Sequence, residues 1–197
     1  SFYARTENCN IKISEDVSAN LENDLDREKL DIIISLPKAD VTRYTSVPLF
    51  KERFLLAASS ELSIPSTEAV PFSYVDKEVL IGKPIIILQE HQYLGKILRN
   101  LLLELNYIPE KMTECYNIET AHSLVSKNAG VTILPEVSVF CRHVKNVEYY
   151  MFRDETLSRS VAAVYKKNNP KIDDISIFIQ CLKDYIRNCS YPFSVLG

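Results

Sequence analysis

The chain is short of the residues from which catalytic and metal centres are built. Its 197 residues include only four glycines and three histidines. No G-x-S-x-G elbow, H-E-x-x-H pair or phosphate-cradling glycine loop occurs, so an enzyme is not expected. Five cysteines (Cys9, Cys115, Cys141, Cys181, Cys189) are an odd number, scattered and without a C-x-x-C pair. That pattern argues against a disulfide framework and for reduced thiols in a cytoplasmic protein. Cys115, His122, Cys141 and His143 are a conceivable zinc set, but their spacing matches no standard metal motif, and no cofactor or metal is expected. No apolar run approaches the ~18 residues of a membrane span, so no membrane partner is expected. No signal peptide is visible, and the opening Ser1-Phe2-Tyr3 without a methionine reads as an expressed fragment. A basic excess is also missing: 23 Lys and Arg face 26 Asp and Glu, a formal charge of −3. Any nucleic-acid contact is expected to come from residues outside this chain. There is no internal repeat and no low-complexity tract.

What is present is an ordinary globular composition, 46% hydrophobic and 25% charged, enough for one domain or two small lobes. Asn10–Ser14 alternates with period two and is expected as a strand. Val17, Leu21 and Leu25 mark a helical stripe with Asp16 or Ser18 as its cap. Leu30–Leu36 is a nearly continuous apolar run ending at Pro37, which suits a central parallel strand covered on both faces. Strand, helix and strand in this order form a βαβ unit, so the class is α/β. Two further strands, Thr45–Phe50 and Arg53–Ser59, are separated by the charged Lys51-Glu52. Ser60–Ser73 reads as a loop or short helix, and Pro84–Leu88 as a buried strand. Tyr93–Leu105 is a helix with Leu94, Ile97, Leu98, Leu101 and Leu105 on one face, stopped by Asn106 and Pro109.

The most informative stretch is Glu114–Glu136. Asn117 is an N-cap and Glu119 complements the helix dipole. Ile118, Ala121, Leu124 and Val125 share a face, Lys127 sits in the last turn, and Gly130 is a natural left-handed terminator. Val131–Leu134 is then a short strand stopped by Pro135. Val147–Phe152 and Ser160–Tyr165 are later strands, and Lys166–Lys171 is a polar turn. A final helix carries Ile172, Ile175, Ile179, Leu182, Ile186 and Cys189 at helical spacing.

Three segments resemble the effector-binding domain of LysR-type transcriptional regulators. They are Leu25–Ile34 (Leu-Asp-Arg-Glu-Lys-Leu-Asp-Ile-Ile-Ile), Val47–Leu56 (Val-Pro-Leu-Phe-Lys-Glu-Arg-Phe-Leu-Leu) and Leu124–Pro135 (Leu-Val-Ser-Lys-Asn-Ala-Gly-Val-Thr-Ile-Leu-Pro). Lys29 and Asn128 stand where the family has glycines, and the family's first strand and helix, which precede Phe2, are not found. The resemblance implies a type 2 periplasmic-binding-protein-like fold, with two α/β lobes joined by two crossover segments and a ligand cleft between them. The lobes are expected at 1–57 plus 162–197 and at 58–161. The intact regulator would carry an N-terminal winged helix-turn-helix, absent from this chain, through which it would meet DNA. A homodimer or tetramer is implied, with the helices at 17–27 and 93–105 as candidate interfaces and Leu102 and Leu103 widening the second.

In open parallel sheets ligands bind beyond the carboxyl ends of strands, where helix N-termini favour anions. Three places qualify: Ser35–Pro37, Gln89–Tyr93, and the edge around Tyr116, Asn117, Val131 and Thr132. With the family's contacts in equivalent places, the expected effector-binding residues are Ser35, Leu88, Gln89, His91, Gln92 and Thr132. Ser35 and Thr132 would donate hydroxyls, Gln89 and Gln92 would bond a carboxylate or amide, and His91 would respond to pH. The plainer alternatives are a strand-closing Ser35, a solvated His91, surface Gln89 and Gln92, and Asn117 acting only as a cap. Lys166-Lys167 would then be a solvated turn, and Tyr149-Tyr150 strand packing. The expected function is sensing of a small, anionic metabolite. The rival is a transport-type solute-binding protein of the same architecture.

Overall fold

The computed structural model describes residues 2–6, 9–69, 71–141, 144–189 and 194–195, with nothing stated for the side chains of residues 141, 194 and 195. The chain divides into two compact units, Ser1–Glu52 with Arg159–Gly197, and Arg53–Ser158. A short 3-10 turn at Phe2–Ala4 precedes α1 (Ser18–Asp26), β1 (Ile33–Ser35) and the long β2 (Tyr44–Ser59). Then come β3 (Ser73–Val75), a 3-10 turn at Lys77–Leu80, β4 (Ile85–Leu88), α2 (Tyr93–Glu104), β5 (Met112–Cys115) and α3 (Ile118–Ser126). The chain continues with β6 (Thr132–Pro135), α4 (Glu136–Cys141), β7 (Val147–Phe152), β8 (Ser158–Lys166), α5 (Ile172–Asn188) and β9 (Ser194–Val195).

In the first unit the strand order is β1-β8-β2, with β9 added to β2 at Phe50 and Lys51. Residues of β8 alternate between faces, as a period of two requires. Ala163 and Tyr165 meet Ile175, Ile179 and Ile186 of α5, while Ala162 and Val164 meet Leu25 of α1 together with Ile33 and Tyr44. Along α5 only every third or fourth apolar residue is buried, and Ile172 is left exposed at its start.

Several expectations change here. The run 30–36 is not a central parallel strand: three of its residues form β1, which pairs antiparallel with β8 (Ile33 opposite Val164), and Ile34 is 43% exposed. Asn10–Ser14 is irregular and exposed, because no strand lies beside it among the described residues to accept its backbone groups. Neither Asp16 nor Ser18 caps α1 in the expected way. Val17 holds the cap position without a side-chain bond, and Asp16 instead accepts from Val17 N and from Asn20 Nδ2 at 2.7 and 2.8 Å. Lys166 is not simply solvated, since its ammonium donates to Asp26 O at 2.7 Å and pairs with Glu28 at 3.0 Å.

The second unit is built on β4, whose four residues are all buried. Ile85 and Ile87 face Leu98, Leu101 and Leu102 of α2, whereas Ile86 and Leu88 face Ala121 and Val125 of α3. Such an all-apolar strand is what burial on both faces demands. β4 runs parallel to β5, Ile85–Leu88 against Met112–Cys115, and Ile85 also bridges to Val131 in parallel. β6 in turn pairs antiparallel with β2, Phe54 opposite Pro135, and β7 pairs with both β2 and β3. Tyr149 and Tyr150 are packing residues here. Tyr149 meets the buried His122 edge to face at 5.9 Å, and Tyr150 donates to Glu148 at 2.5 Å. Burial raises both phenol pKa values, with Glu148 adding to the rise at Tyr150.

Three more readings are corrected. Lys51-Glu52 does not divide two strands, since β2 is continuous through it. Leu102 belongs to the core, leaving only Leu103, 76% exposed, outside it. The α3 terminator is Asn128 at φ 58, not Gly130. Asn128 N closes on Val125 O at 2.9 Å as the helix ends. Gly130 is required for another reason: a Cβ there would lie 2.5 Å from Pro84 O. Because the left-handed conformation is costly for residues with a Cβ and worst for branched ones, Asn128→Gly should hold or slightly raise stability. Asn128→Val should lower it by about 1–2 kcal/mol, read as a shifted urea midpoint at constant m.

Candidate functional site

The shared parallel direction of β4, β5 and β6 brings their carboxyl ends to one end of the second unit. From β4 the chain makes a tight turn through Gln89–Gln92, closed by Gln92 N to Gln89 O at 2.9 Å, and enters α2. Gln92 holds the N-cap position with extended backbone, yet its side chain makes no capping bond, and no acid occupies the first helical turn. Gln92 therefore supplies no side-chain acceptor to the opening N–H groups of α2, and the helix dipole favours negative charge there.

Three contacts hold this turn. The Gln92 amide donates to Tyr116 O at 2.6 Å, tying it to the end of β5. Arg99 donates to Leu88 O at 3.1 Å and Gly95 O at 3.4 Å, and is itself held by Glu114 at 2.7 Å. The third is steric. The turn lies directly on α2 at Gly95, where a Cβ would fall 2.3 Å from Gln89 O and 2.4 Å from Leu88 O. Neither Arg99 nor Gly95 was singled out from the sequence. A glycine inside a helical pattern is the signal that points to a close backbone approach.

The six expected residues are distributed as follows. Leu88, Gln89, His91 and Gln92 fall together on the turn. Leu88 is buried with its carbonyl committed to Arg99, Gln89 is half-buried and His91 exposed. The side chains of Gln89 and His91 make no hydrogen bond among the described residues, whereas the Gln92 amide nitrogen is engaged by Tyr116. Thr132 is buried and level with Ile86, two residues behind the end of β4. Ser35 lies in the first unit at the carboxyl end of β1, opposite Ala162, and its hydroxyl is buried without a hydrogen-bond partner. Asn117 caps α3, accepting from Thr120 N at 2.8 Å.

At the carboxyl ends of the second unit's strands sit groups that were not among the expected effector contacts. Pro135 ends β6 at the same edge, followed by Glu136, which is 3% exposed. Glu136 accepts from Arg53 N at 3.2 Å through one oxygen; the other lies 3.5 Å from the Arg53 guanidinium and has no hydrogen bond. Cys115 ends β5, its thiol directed to Ile87 O at 3.6 Å and Asn117 O at 3.7 Å. Burial, reinforced by neighbouring Glu114, pushes that thiol above its ordinary range. Of the conceivable zinc set, His143 lies outside the described residues.

A cavity of about 450 Å³ in the first unit includes none of the six residues. Of its charged lining, Lys166 is paired with Glu28, Asp31 with Lys171 at 2.9 Å and Arg43 with Asp26 at 3.7 Å.

Gly95→Ala should therefore displace the turn rather than fill a gap. The expected cost is about 1–3 kcal/mol in urea unfolding, the range for overpacking. Faster amide exchange should be concentrated at Leu88–Gln92.

The model of the LysR substrate binding domain matches residues 1–187. Among curated relatives, the hydrogen peroxide-inducible genes activator of Haemophilus influenzae is 26% identical over 151 residues, covering 74% of this chain and 47% of the relative. The chain spans about half the length of the curated relatives it matches. Similar solved structures include the effector binding domain of a BenM variant, at a TM-score of 0.75 and 15% identity, covering 93% of this chain and 85% of that one. The effector binding domain of QuiR in complex with shikimate gives 0.68 at 19% identity, covering 88% and 80%. These likenesses give the fold as type 2 periplasmic-binding-protein-like. With the family model covering nearly its whole length, the chain belongs to the LysR substrate-binding domain family.

Proposed function

We propose that this chain senses a small, anionic metabolite for a LysR-type transcriptional regulator, with the turn Leu88–Gln92 as a principal contact. The observation that carries the reading is the N-terminus of α2, which has no side-chain cap and no acid in its first turn, beside the uncommitted side chains of Gln89 and His91. An acceptor-rich ligand complements such a group of donors. The ligand named for the QuiR domain, shikimate, is a carboxylate, which agrees with this chemistry. Ser35 is a further proposed contact, supported by its buried and unpartnered hydroxyl. Leu88 and Thr132 would shape the floor, and Gln92 would hold the turn while offering its amide oxygen. DNA binding would belong to another part of the regulator, and a cytoplasmic location and homodimer or tetramer are part of the same proposal. The curated relatives are named as regulators of genes, which favours this reading over a transport-type protein and over an enzyme.

A thermal-shift screen against small carboxylates, amino acids and aromatic acids tests it. A ligand that binds only the native state stabilises by about 2.7 kcal/mol at a hundredfold excess over its dissociation constant. The expected gain should be strongly reduced in Gln89→Ala and in Ser35→Ala. A gain left intact by both substitutions would remove these residues from the site.

The relatives' names also raise peroxide sensing by a thiol as a second reading. Cys115 does not favour it, because reactive cysteines are accessible and have depressed pKa values, whereas this one is buried with its pKa raised. Alkylation of the native chain at neutral pH should modify the half-buried Cys9, Cys181 and Cys189 well before Cys115. Mass mapping showing Cys115 first would restore the thiol reading.

A further inference from the structure

The turn after β4 offers hydrogen-bond donors, but the cation fixed beside it, Arg99, is committed to Leu88 O and Glu114; the nearest strands supply another. β6 lies beside β4, and β2 beside β6. Because β2 runs antiparallel to β6, with Phe54 opposite Pro135, Arg53 stands at the same end of the unit as Gln89 and His91. Two strand spacings separate β2 from β4, roughly 10 Å, about the length of a small metabolite.

Arg53 is half-buried, its side chain 37% exposed, against a Glu136 side chain that is 5% exposed. A pair formed only to neutralise the buried acid would be expected to close as a fork of short, parallel bonds. This one does not. The guanidinium stands 3.5 Å from one carboxylate oxygen, which has no hydrogen bond, and the other oxygen is satisfied by the Arg53 backbone. Glu136 therefore orients the guanidinium electrostatically without consuming its donors. The Arg53 side chain has no other partner among the described residues. A guanidinium carries five N–H donors in a planar fork, suited to bidentate capture of a carboxylate. We propose that Arg53 is the anion-binding residue of the effector site, gripping the effector's carboxylate from the carboxyl end of β6 while Gln89 and the start of α2 contact the rest. This rests on the effector-sensing reading and adds to it the chemical group recognised and the residue that recognises it.

The test uses the full chain with acetate as the minimal carboxylate, titrated against chloride at constant ionic strength. Arg53→Gln alone would leave Glu136 buried without its counter-charge and could unfold the protein. The informative variant is thus the neutral pair Arg53→Gln with Glu136→Gln. Heteronuclear NMR of the arginine Nε–H groups should show one resonance, missing in the double variant, that moves saturably with acetate and not with chloride. The double variant should keep a thermal midpoint near that of the parent while losing most of the acetate-induced gain. An Arg53 resonance unmoved by acetate, or a double variant that responds to acetate as the parent does, would reduce Arg53 to a counter-ion of Glu136. If an effector found by the wider screen binds the double variant at undiminished affinity, the Arg53 assignment fails while the sensing reading stands. If Arg53 takes acetate but no metabolite stabilises the chain, it is the sensing reading that fails.

Discussion

The burial of Ile85–Leu88 on both faces is the constraint on which the second unit depends. A strand without a solvent face must find helices on either side and strands along both edges, and β4 has all of these in α2, α3, β5 and β6. Each of its side chains is worth on the order of 1.5–3 kcal/mol when fully buried, so its direction is not negotiable. Once β4 and its two neighbours run parallel, their carboxyl ends coincide, and the loops that follow must emerge together. The candidate site is a consequence of that geometry before any polar residue is considered.

The polar residues then fix what the core leaves undecided. Gly95 lets the backbone of Leu88 and Gln89 rest on α2, and Arg99 donates to the Leu88 carbonyl at that close approach. The Gln92 amide ties the same turn to the end of β5. A loop held on three sides loses little conformational freedom when a ligand arrives, and a smaller ordering cost leaves more of the contact energy as affinity. The exposed His91 makes no side-chain hydrogen bond among the described residues, so it is not part of that restraint.

Elements governed by local patterns were legible in the sequence. The apolar stripe of α2, the Asn117 cap and the core strand at 85–88 all depend on neighbours within a few residues. Long-range pairing was not legible. Lys51-Glu52 reads as a break because two adjacent charges have no place in a buried strand. The strand nevertheless continues, since Glu52 is met by Arg159, 107 residues away, and Arg53 by Glu136, 83 residues away. No window of local sequence contains those partners. Asn10–Ser14 fails in the opposite direction: its alternation fits a strand, but a strand exists only where another can pair with it. At the α3 terminus, glycine propensity pointed to Gly130. Asn128 also tolerates a left-handed backbone and comes first after the helix, while Gly130 answers to Pro84, a contact that spacing alone does not reveal.

The same contrast separates the parts of the candidate site. Gln89, His91 and Gln92 could be found from the rule that ligands gather where parallel strands end, because that rule needs only the order of elements. Arg53 could not, since its place at that end follows from the antiparallel register of β2 with β6. The buried acid beside it explains why an arginine can stand where the strand continues as Phe-Leu-Leu-Ala-Ala. Without Glu136, a half-buried guanidinium would have to give up hydration with no counter-charge. With it, the positive charge is retained at the strand end but only loosely coordinated, as the unbonded carboxylate oxygen attests. A cation held in this way can exchange part of its interaction with Glu136 for a bond to an arriving anion without either group losing all its partners. If Arg53 captures a carboxylate as proposed, that exchange would let a polar, partly desolvated site do so at a modest desolvation cost.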